Sequence, residues 1–360
     1  MLFEEALAII DRGREGQNEG LFHGYPKLMN YIPGVQKGTI YNVVGGTGSG
    51  KTSFALSTFV FNPFEDYMRR KMQEDISLEI IVWSMEMSKE ILVTKGICRK
   101  IFKDCGLLVD INYVLSRGKN RISQEIYDKV LLTREYFEEF ENVVTILTAA
   151  NPTGIHKTIK SRALLNGKEF FKPLTIYEDG VPREVKQFDY YKPNRPNHYF
   201  IAVQDHIALQ KSESQLSRVK ELIDKLVIYL IDDKLRYGIS DVLVQQINRN
   251  SESVDRMRNN SIEVQLSDLR DSSDSGHASD FILGLSNPFA YEISPYRDYD
   301  ITQLKDRFRG LKIVKSRDGI ANIVLGLAYL GETGVLKELK PGKEMSLADY
   351  EAIVNIKRAF

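Results

Sequence analysis

One run of eight residues carries the clearest chemical signal in the chain. Residues 45–52 read GGTGSGKT, and glycine occupies four of the eight positions. Glycine allows the backbone N–H groups of such a loop to point at one polyphosphate without side-chain clashes. Lys51 can then neutralise the β and γ phosphates, while the Thr52 hydroxyl can bind Mg²⁺ at the first turn of a following helix. We predict ATP and Mg²⁺ as cofactors, bound by Gly45, Gly46, Thr47, Gly48, Ser49, Gly50, Lys51, Thr52 and Ser53.

Two acidic residues fit the other needs of ATP hydrolysis. Phosphoryl transfer to water requires a carboxylate that organises the metal and a group that orients the attacking water. Asp205 ends the apolar run HYFIAVQD, from which it could reach the loop on an adjacent strand, and Glu86 follows LEIIVWSM in the same way. We predict that Asp205 organises Mg²⁺ together with Thr52, and that Glu86 activates water. The alternative for each is a strand-end carboxylate that caps a nearby helix.

The pattern of apolar residues predicts the strands and helices that must position this chemistry. Each of two strand-like runs, 39–44 and 78–83, is followed by a stretch with helical spacing, at 53–61 and 90–102. Continuous apolar runs of this kind suit a parallel sheet that is covered on both faces. Further runs lie at 143–147, 199–203, 240–244, 281–285, 311–314 and 321–328, and the later ones need not be parallel. The predicted fold class is α/β, with a mostly parallel central sheet covered by helices.

A hairpin is predicted to interrupt this rhythm at 168–196, where Asp179-Gly180 separates two alternating runs as a two-residue turn would. Lysines and arginines alternate there with aromatic residues, a mixture that suits contacts to a nucleic-acid backbone and stacking on bases. The alternative, which we favour from the sequence, is a solvated ribbon whose aromatic side chains cover the core.

The N-terminal segment is predicted to be a short amphipathic helix at residues 2–12, with Phe3, Leu7 and Ile10 on one face and Gly13 after it. A polar, glycine-bearing linker follows. The helix either caps its own core or docks on a neighbouring subunit. We divide the chain into residues 1–18, for this helix and linker, and 19–360, for an ATPase domain that contains the hairpin.

Composition narrows the choice of function class. The chain has 360 residues, 42% of them apolar and 27% charged, with a formal net charge of zero, so a nucleic-acid surface must be local. Cys98 and Cys105 form no CxxC pair and the five histidines are scattered, which argues against a dedicated metal cage. No stretch approaches the ~20 apolar residues that a membrane span needs. We expect a cytoplasmic protein with no membrane partner.

Six segments in a fixed order resemble the ATPase domain of DnaB-type replicative helicases, the RecA-like core of ring helicase superfamily 4. The match extends from about Leu21 through most of the chain. The segments are GGTGSGKT at 45–52, SMEMS at 84–88, VQDH at 203–206, QINR at 246–249, LSDLR at 266–270 and KSRDG at 315–319. A relative with only the RecA core would share the loop and Asp205 but not the whole set.

The resemblance implies roles for single residues. Glu86 takes the position of the catalytic glutamate, Asp205 that of the Mg²⁺-linked aspartate, and Gln246 that of a polar sensor for the γ-phosphate. Lys315 and Arg317 match a pair that reaches across a subunit boundary into a neighbour's nucleotide site. Their spacing of two on a strand-like run would project both to the same side.

The resemblance also implies contacts to DNA. Arg270, Asp271 and Ser272 match a loop that follows the phosphates of one strand, and Arg249 lies in the polar stretch before it. An ordinary surface loop is the alternative. Contacts of this kind are made to the backbone and read little sequence.

The implied activity is that of an ATP-driven helicase for DNA replication, which assembles as a homo-hexameric ring on single-stranded DNA in a bacterial cell, with a phage or a plasmid as further sources of the gene. Primase and a helicase loader are partners in the family. We see no counterpart of the family's N-terminal collar domain, so those contacts are not carried over. Two alternatives remain open: a RecA-like recombination ATPase that binds DNA without unwinding it, and a regulatory ATPase that binds no nucleic acid.

Overall fold

The structure is a computed structural model that describes residues 2–16, 18–213, 218–248, 256 and 262–359. Its centre is a sheet with the strand order β11-β10-β9-β8-β1-β7-β6-β2-β3 in this part of the chain. The strands of the sheet are β1 Ile40–Gly45, β2 Ile76–Ser84, β3 Val144–Leu147, β6 Asn197–Asp205, β7 Ser240–Gln246, β8 Phe281–Ser286, β9 Phe308–Ser316, β10 Val324–Leu330 and β11 Val335–Glu338.

The strands from β3 to β8 in this order pair in parallel, and β9, β10 and β11 continue the sheet in antiparallel pairing. The prediction of a mostly parallel α/β sheet is therefore confirmed. Every residue of β1 is buried, because helices cover both faces of the sheet. This burial explains why the strands read as unbroken apolar runs in the sequence.

Helices cover the two faces in separate layers. One layer packs side chains of α2, α3, α4 and α7 on the sheet, and the other packs α8 and α9. The described helices are α1 Leu2–Arg14, α2 Lys51–Leu56, α3 Asn62–Arg70, α4 Lys89–Cys105, α5 Ile111–Val114, α6 Gln124–Leu132, α7 Arg134–Val143, α8 Pro152–Asn166, α9 Val219–Tyr237, α10 Ser273–Ala278, α11 Ile301–Leu304 and α12 Leu347–Val354. A π-helical turn at Ser57–Phe61 links α2 to α3. None of the described helices is both long and apolar enough to cross a membrane.

The direction of the strands defines two edges of the sheet. All six parallel strands end at one edge, which we call the loop edge, and begin at the opposite edge, which we call the far edge. Strand β9 runs the other way, so Phe308 lies at the loop edge and Ser316 at the far edge. Residues of one strand are thus shared between two distant parts of the surface.

The predicted hairpin is present as β4 Gly167–Glu178 and β5 Val181–Pro193, which form a separate two-stranded sheet. Asp179 and Gly180 both have positive φ angles, of 53° and 80°, as the predicted two-residue turn requires. The idea that its aromatic residues cover the core is wrong for most of them. Phe171 is 51% exposed and Tyr177 is 74% exposed, because the ribbon extends beyond the helical layers.

The N-terminal helix continues to Arg14, past the end predicted at Gly13. A glycine inside a helix costs only about 1 kcal/mol, which is too little to stop the last turn. The helix exposes its apolar side chains: Phe3 is 71% exposed and Ile10 is 58% exposed. It is therefore not buried against the core of its own chain.

Candidate functional site

The glycine-rich loop connects β1 to α2 at the loop edge of the sheet. Gly48 and Gly50 have φ angles of 73° and 89°, in the left-handed region where a side chain would be strained. Strand β1 ends at Gly45, helix α2 begins at Lys51, and the free N–H groups of the first helical turn face the loop. The loop thus has the backbone that a polyphosphate site needs.

Lys51 and Thr52 bring polar groups to this loop. The Lys51 ammonium donates a hydrogen bond to the Gly46 carbonyl at 2.7 Å, and the Thr52 hydroxyl donates to the Asp205 carboxylate at 3.1 Å. Burial lowers the pKa of Lys51, and the nearby charges of Asp205 and Glu86 oppose that shift. A bound phosphate would supply the negative charge that this buried ammonium needs.

Asp205 lies where β6 ends and is buried. Burial raises the pKa of its carboxyl to about 6; the Thr52 hydrogen bond opposes this shift, and the negative charge of Glu86 adds to it. A hydroxyl and a carboxylate oxygen are ligands that Mg²⁺ prefers, so Thr52 and Asp205 fit this ion. A cation there would also stabilise the ionised form of a carboxyl that the protein otherwise leaves in a costly place.

Glu86 lies in the turn after β2, next to Asp205. The turn is held by a hydrogen bond from the Ser84 hydroxyl to the Met87 carbonyl at 2.8 Å, and by one from the Met85 amide to the Asp205 carbonyl at 2.7 Å. The Glu86 side chain is exposed, so water can reach its carboxylate. The helix-capping role is taken by Ser88, whose hydroxyl accepts from the Ile91 amide.

Gln246 ends β7 directly beside Gly45 in the sheet register. Its side-chain amide donates to the Thr47 hydroxyl at 2.6 Å, so it touches the loop itself. His206, which sequence reasoning passed over, lies between Gln246 and the Lys51 ammonium: burial, then the charge of Lys51, lowers its pKa, and a hydrogen bond with Gln246 opposes the shift. The neighbouring VQD segment was the only sequence signal that pointed to this histidine.

Arg309 is a second residue that the sequence analysis missed. It lies near the start of β9 and is only 1% exposed, yet its guanidinium reaches the glycine-rich loop. Nε donates to the Ser49 carbonyl at 3.1 Å and Nη2 donates to the Gly48 carbonyl at 3.3 Å, while the group lies over the Tyr329 ring. Arg309 therefore holds the loop from the side opposite Asp205 in the strand order.

We expect Arg309→Ala to weaken ATP binding by about 10-fold, because the loop loses two charge-assisted hydrogen bonds of about 1.5–3 kcal/mol each. Arg309→Lys should recover little, since one ammonium cannot replace the planar fork. Titration with a fluorescent ATP analogue measures the effect. Arg307→Ala is the matched control, because that guanidinium pairs with Glu332. Equal losses in the two variants would contradict a specific role for Arg309.

Lys315 and Arg317 lie at the far edge, away from the loop. The Lys315 ammonium donates to the carbonyls of Gly276 and His277 at 2.9 Å, and the Arg317 guanidinium pairs with Asp280 at 2.9 Å. Arg317 is level with Asp280, five strand residues or ~17 Å from the level of Gly45. The structure does not bring either residue to the nucleotide loop of its own chain.

The predicted DNA-contacting residues fall largely outside the described part of the structure. Arg249 lies outside it, as do the side chains of Arg270, Asp271 and Ser272. The backbone of Leu266–Ser272 forms a short 3₁₀ segment next to the end of β7, where the Asn248 amide donates to the Asp268 carbonyl at 3.2 Å. This segment therefore leaves the sheet at the loop edge.

One group of histidine and aspartate side chains in the described residues has ligand atoms within 4.8 Å of one another, namely His156, Asp232 and Asp233. Asp232 already pairs with Arg236 at 2.6 Å, and the His156 ring lies 2.9 Å from Asp233. Burial raises the pKa of Asp233 to about 9. These contacts describe an internal polar cluster, apart from the nucleotide loop.

No protein-family model matches the chain, and no curated protein is similar to it in sequence. Solved structures do match it. One of them, the isolated ATPase domain of a DnaB-like helicase, aligns with 94% of this chain and 99% of its own, at a TM-score of 0.69 and 16% identity. A DnaB-like replicative helicase, solved to show its interactions with primase, aligns with 94% of this chain and 66% of its own, at a TM-score of 0.66 and 15% identity. At this identity the likeness establishes the fold, which is that of a RecA-like ATPase domain of the DnaB type.

Proposed function

We propose that this chain, with the fold of a DnaB-type ATPase domain, is an ATP-driven helicase that assembles as a hexameric ring, translocates on single-stranded DNA and unwinds duplex DNA. One observation carries the proposal: the groups suited to ATP hydrolysis lie at two opposite edges of one sheet. Thr52, Glu86, Asp205 and Gln246 surround the loop, whereas Arg317 lies ~17 Å away. A complete site then requires a second copy.

A head-to-tail assembly meets this requirement. When the far edge of one copy faces the loop edge of the next, each interface contains one loop and one Arg317. Repeating such a contact produces a ring if the rotation closes. The family resemblance favours closure at six copies, and single-stranded DNA is the polymer for which such a ring has a central channel.

The surface around Arg317 has the character of an interface. A cavity of about 490 Å³ lies there, lined by Arg317 and by Ile228, Ile231 and Leu235 from α9. Ile228 is 67% exposed and Leu235 is 74% exposed. Apolar side chains gathered beside a charged residue of this kind mark a surface that another protein covers.

In the nucleotide site, the chain's own residues divide the work. Lys51 and the loop amides hold the phosphates, Glu86 orients a water molecule and accepts its proton, and Gln246 links the loop to the segment that follows β7. Bound Mg²⁺, held by Thr52 and Asp205, would neutralise charge on the β and γ oxygens. Arg317 of the adjacent copy would stabilise the remaining charge in the transition state.

Helix α1 supplies a second contact between copies. An isolated 13-residue helix is marginally stable in water, so its exposed apolar stripe needs a partner surface. We expect Leu7→Asp with Ile10→Asp to convert rings into smaller species, since each carboxylate would be buried in the contact. Light scattering with ATP analogue and single-stranded DNA measures the mass. Ala8→Asp, which adds the same charge to the polar face, should leave the ring intact; ring loss in both variants would contradict this role.

The proposal is tested by ATPase and unwinding assays on the wild-type chain. We expect ATP turnover to rise on addition of single-stranded DNA and a forked duplex to be opened in one direction. Strand exchange without fork opening would favour the recombination ATPase. A gel shift with a 20-nucleotide strand, repeated at higher salt, tests the regulatory ATPase, because contacts to phosphates weaken steeply with salt. Absence of DNA-stimulated turnover would refute the helicase.

A further inference from the structure

The β4–β5 hairpin is an arm whose base is fixed and whose length is free. At the base, the Tyr191 hydroxyl donates to the Ala163 carbonyl at 2.7 Å, and the Tyr237 hydroxyl donates to Glu169 at 2.6 Å. From there to the turn at Asp179, twelve residues of β4 span ~40 Å. A two-stranded ribbon is marginal by itself, so contacts at the base must hold it.

The two faces of the arm differ in what they touch. Near the base, Glu169, Phe188 and Tyr191 lie on the face that contacts α9, where the Arg236 guanidinium lies 4.8 Å from the centre of the Phe188 ring. The pleat sends alternate residues to the other face. That face carries Lys168, Phe170, Tyr190 and Lys192, which we call the hairpin patch; all four side chains are exposed.

The patch joins two aromatic rings to two unneutralised charges. Phe170 and Tyr190 are cross-strand partners whose rings stack at 4.7 Å and 8°. Lys168 and Lys192 are also directly opposite each other, and neither ammonium forms an ion pair with any residue in the described ranges. Like charges in this position destabilise a hairpin. An anion between the two lysines would remove that repulsion.

We propose that the hairpin patch binds single-stranded nucleic acid. Along β4, Lys168, Phe170 and Lys172 place cation, ring and cation at intervals of ~7 Å on one face. A single strand offers phosphates and unstacked base faces in the same alternation, and rings of Phe and Tyr stack on bases of any sequence. A duplex keeps its bases stacked on one another, so it offers only the phosphates. An acidic protein surface would likewise satisfy the lysines and leave the rings unused.

The position of the patch separates it from the DNA loops proposed above. Helix α8 returns the chain from the loop edge to the far edge, and the hairpin leaves the core between α8 and β6, at that far edge. The segment after β7 leaves the sheet at the loop edge. This inference rests on the proposed function for its last step: during unwinding, the strand that reaches the patch is the one displaced from the channel.

Photocrosslinking tests binding at the patch itself. With p-benzoylphenylalanine at position 170, we expect ultraviolet light to join the full chain to a labelled 20-nucleotide strand and to yield several-fold less adduct with the same sequence as a blunt duplex. The same probe at position 175, which is exposed on the opposite face, is the control. Adducts between two protein chains, or equal DNA adducts at 170 and 175, would overturn the proposal.

Fork binding tests the assignment to the displaced strand. Phe170→Ala with Tyr190→Ala should lose about 10-fold in affinity for a fork with two unpaired arms, as expected for loss of stacking on about one base. Its affinity for a duplex with one tail should fall less than about 2-fold, and Thr175→Ala should change neither. Equal losses on both DNAs would refute displaced-strand binding. Crosslinks at 170 in a chain without DNA-stimulated turnover would instead retain the patch and refute the helicase.

Discussion

Replacing Arg317 with alanine should lower single-strand-stimulated ATP turnover by roughly 10³-fold or more, which is the range that arginine fingers contribute. ATP binding should be unchanged, because the guanidinium lies at the far edge and pairs with Asp280 rather than with its own nucleotide loop. Steady-state turnover and titration with a fluorescent ATP analogue measure the two quantities. Arg134→Ala, at the exposed start of α7, is the control for loss of a surface guanidinium.

The fold should survive this change. Asp280 keeps two further partners after Arg317 is removed, namely the Lys234 ammonium at 2.6 Å and the Ile40 amide at 2.8 Å. An ion pair with a half-exposed arginine contributes about 0–1 kcal/mol. A thermal unfolding midpoint close to the wild-type value would therefore separate lost catalysis from lost structure.

Mixing two inactive variants distinguishes action across an interface from action within one chain. Lys51→Ala has no working loop but keeps Arg317, and Arg317→Ala has the reverse defect. In rings formed from equal amounts of both, about a quarter of the head-to-tail interfaces combine an intact loop with an intact arginine, so turnover should recover. Failure of the mixture to exceed the sum of its parts, with mixed rings shown to form, would rule out completion by a neighbour.

Replacing Glu86 with glutamine should lower turnover by roughly 10²- to 10⁴-fold, which is the usual contribution of a general base. Glutamine keeps the size of the side chain but cannot accept a proton from water. ATP should still bind, since the loop amides, Lys51 and Thr52 are untouched, and loss of the Glu86 charge removes one influence that raises the pKa of Asp205. The ring should therefore accumulate with ATP bound and unhydrolysed.

Glu90→Gln is the matched control for this variant. Glu90 lies in the first turn of α4, four residues beyond Glu86, and is exposed. Single-turnover hydrolysis of prebound ATP isolates the chemical step from binding and from product release. A Glu86→Gln chain with hydrolysis within a few-fold of wild type would show that another group activates water.

The nucleotide loop and its acidic neighbours could be predicted because each signal is local or follows from strand direction. GGTGSGKT encodes a backbone shape in eight consecutive residues. Asp205 and Glu86 end two apolar runs, and parallel strands end at one edge of their sheet, so both were expected beside the loop. The antiparallel hairpin followed from Asp179-Gly180 in the same way.

Arg309 and the hairpin patch were beyond such reasoning. Arg309 reads as one cation in the run RFRGLKIV, and only the order of strands β8, β9 and β10 brings its guanidinium to the carbonyls of Gly48 and Ser49. The aromatic residues of the hairpin could have packed on the core or faced water. That outcome depends on how far the ribbon extends past α8 and α9, which is a property of the whole fold.

The sequence by itself determined that this chain holds a nucleotide and that it resembles one family of ATPases, since backbone conformation and motif order are properties of consecutive residues. Only the tertiary structure decided where Arg317 lies. Strand β9 runs antiparallel to its neighbour, so residues at its two ends face opposite edges: Arg309 supports its own loop, and Arg317 is carried away from it. Strand direction and strand order arise from contacts distant in sequence, and they make this site one that a second copy must complete.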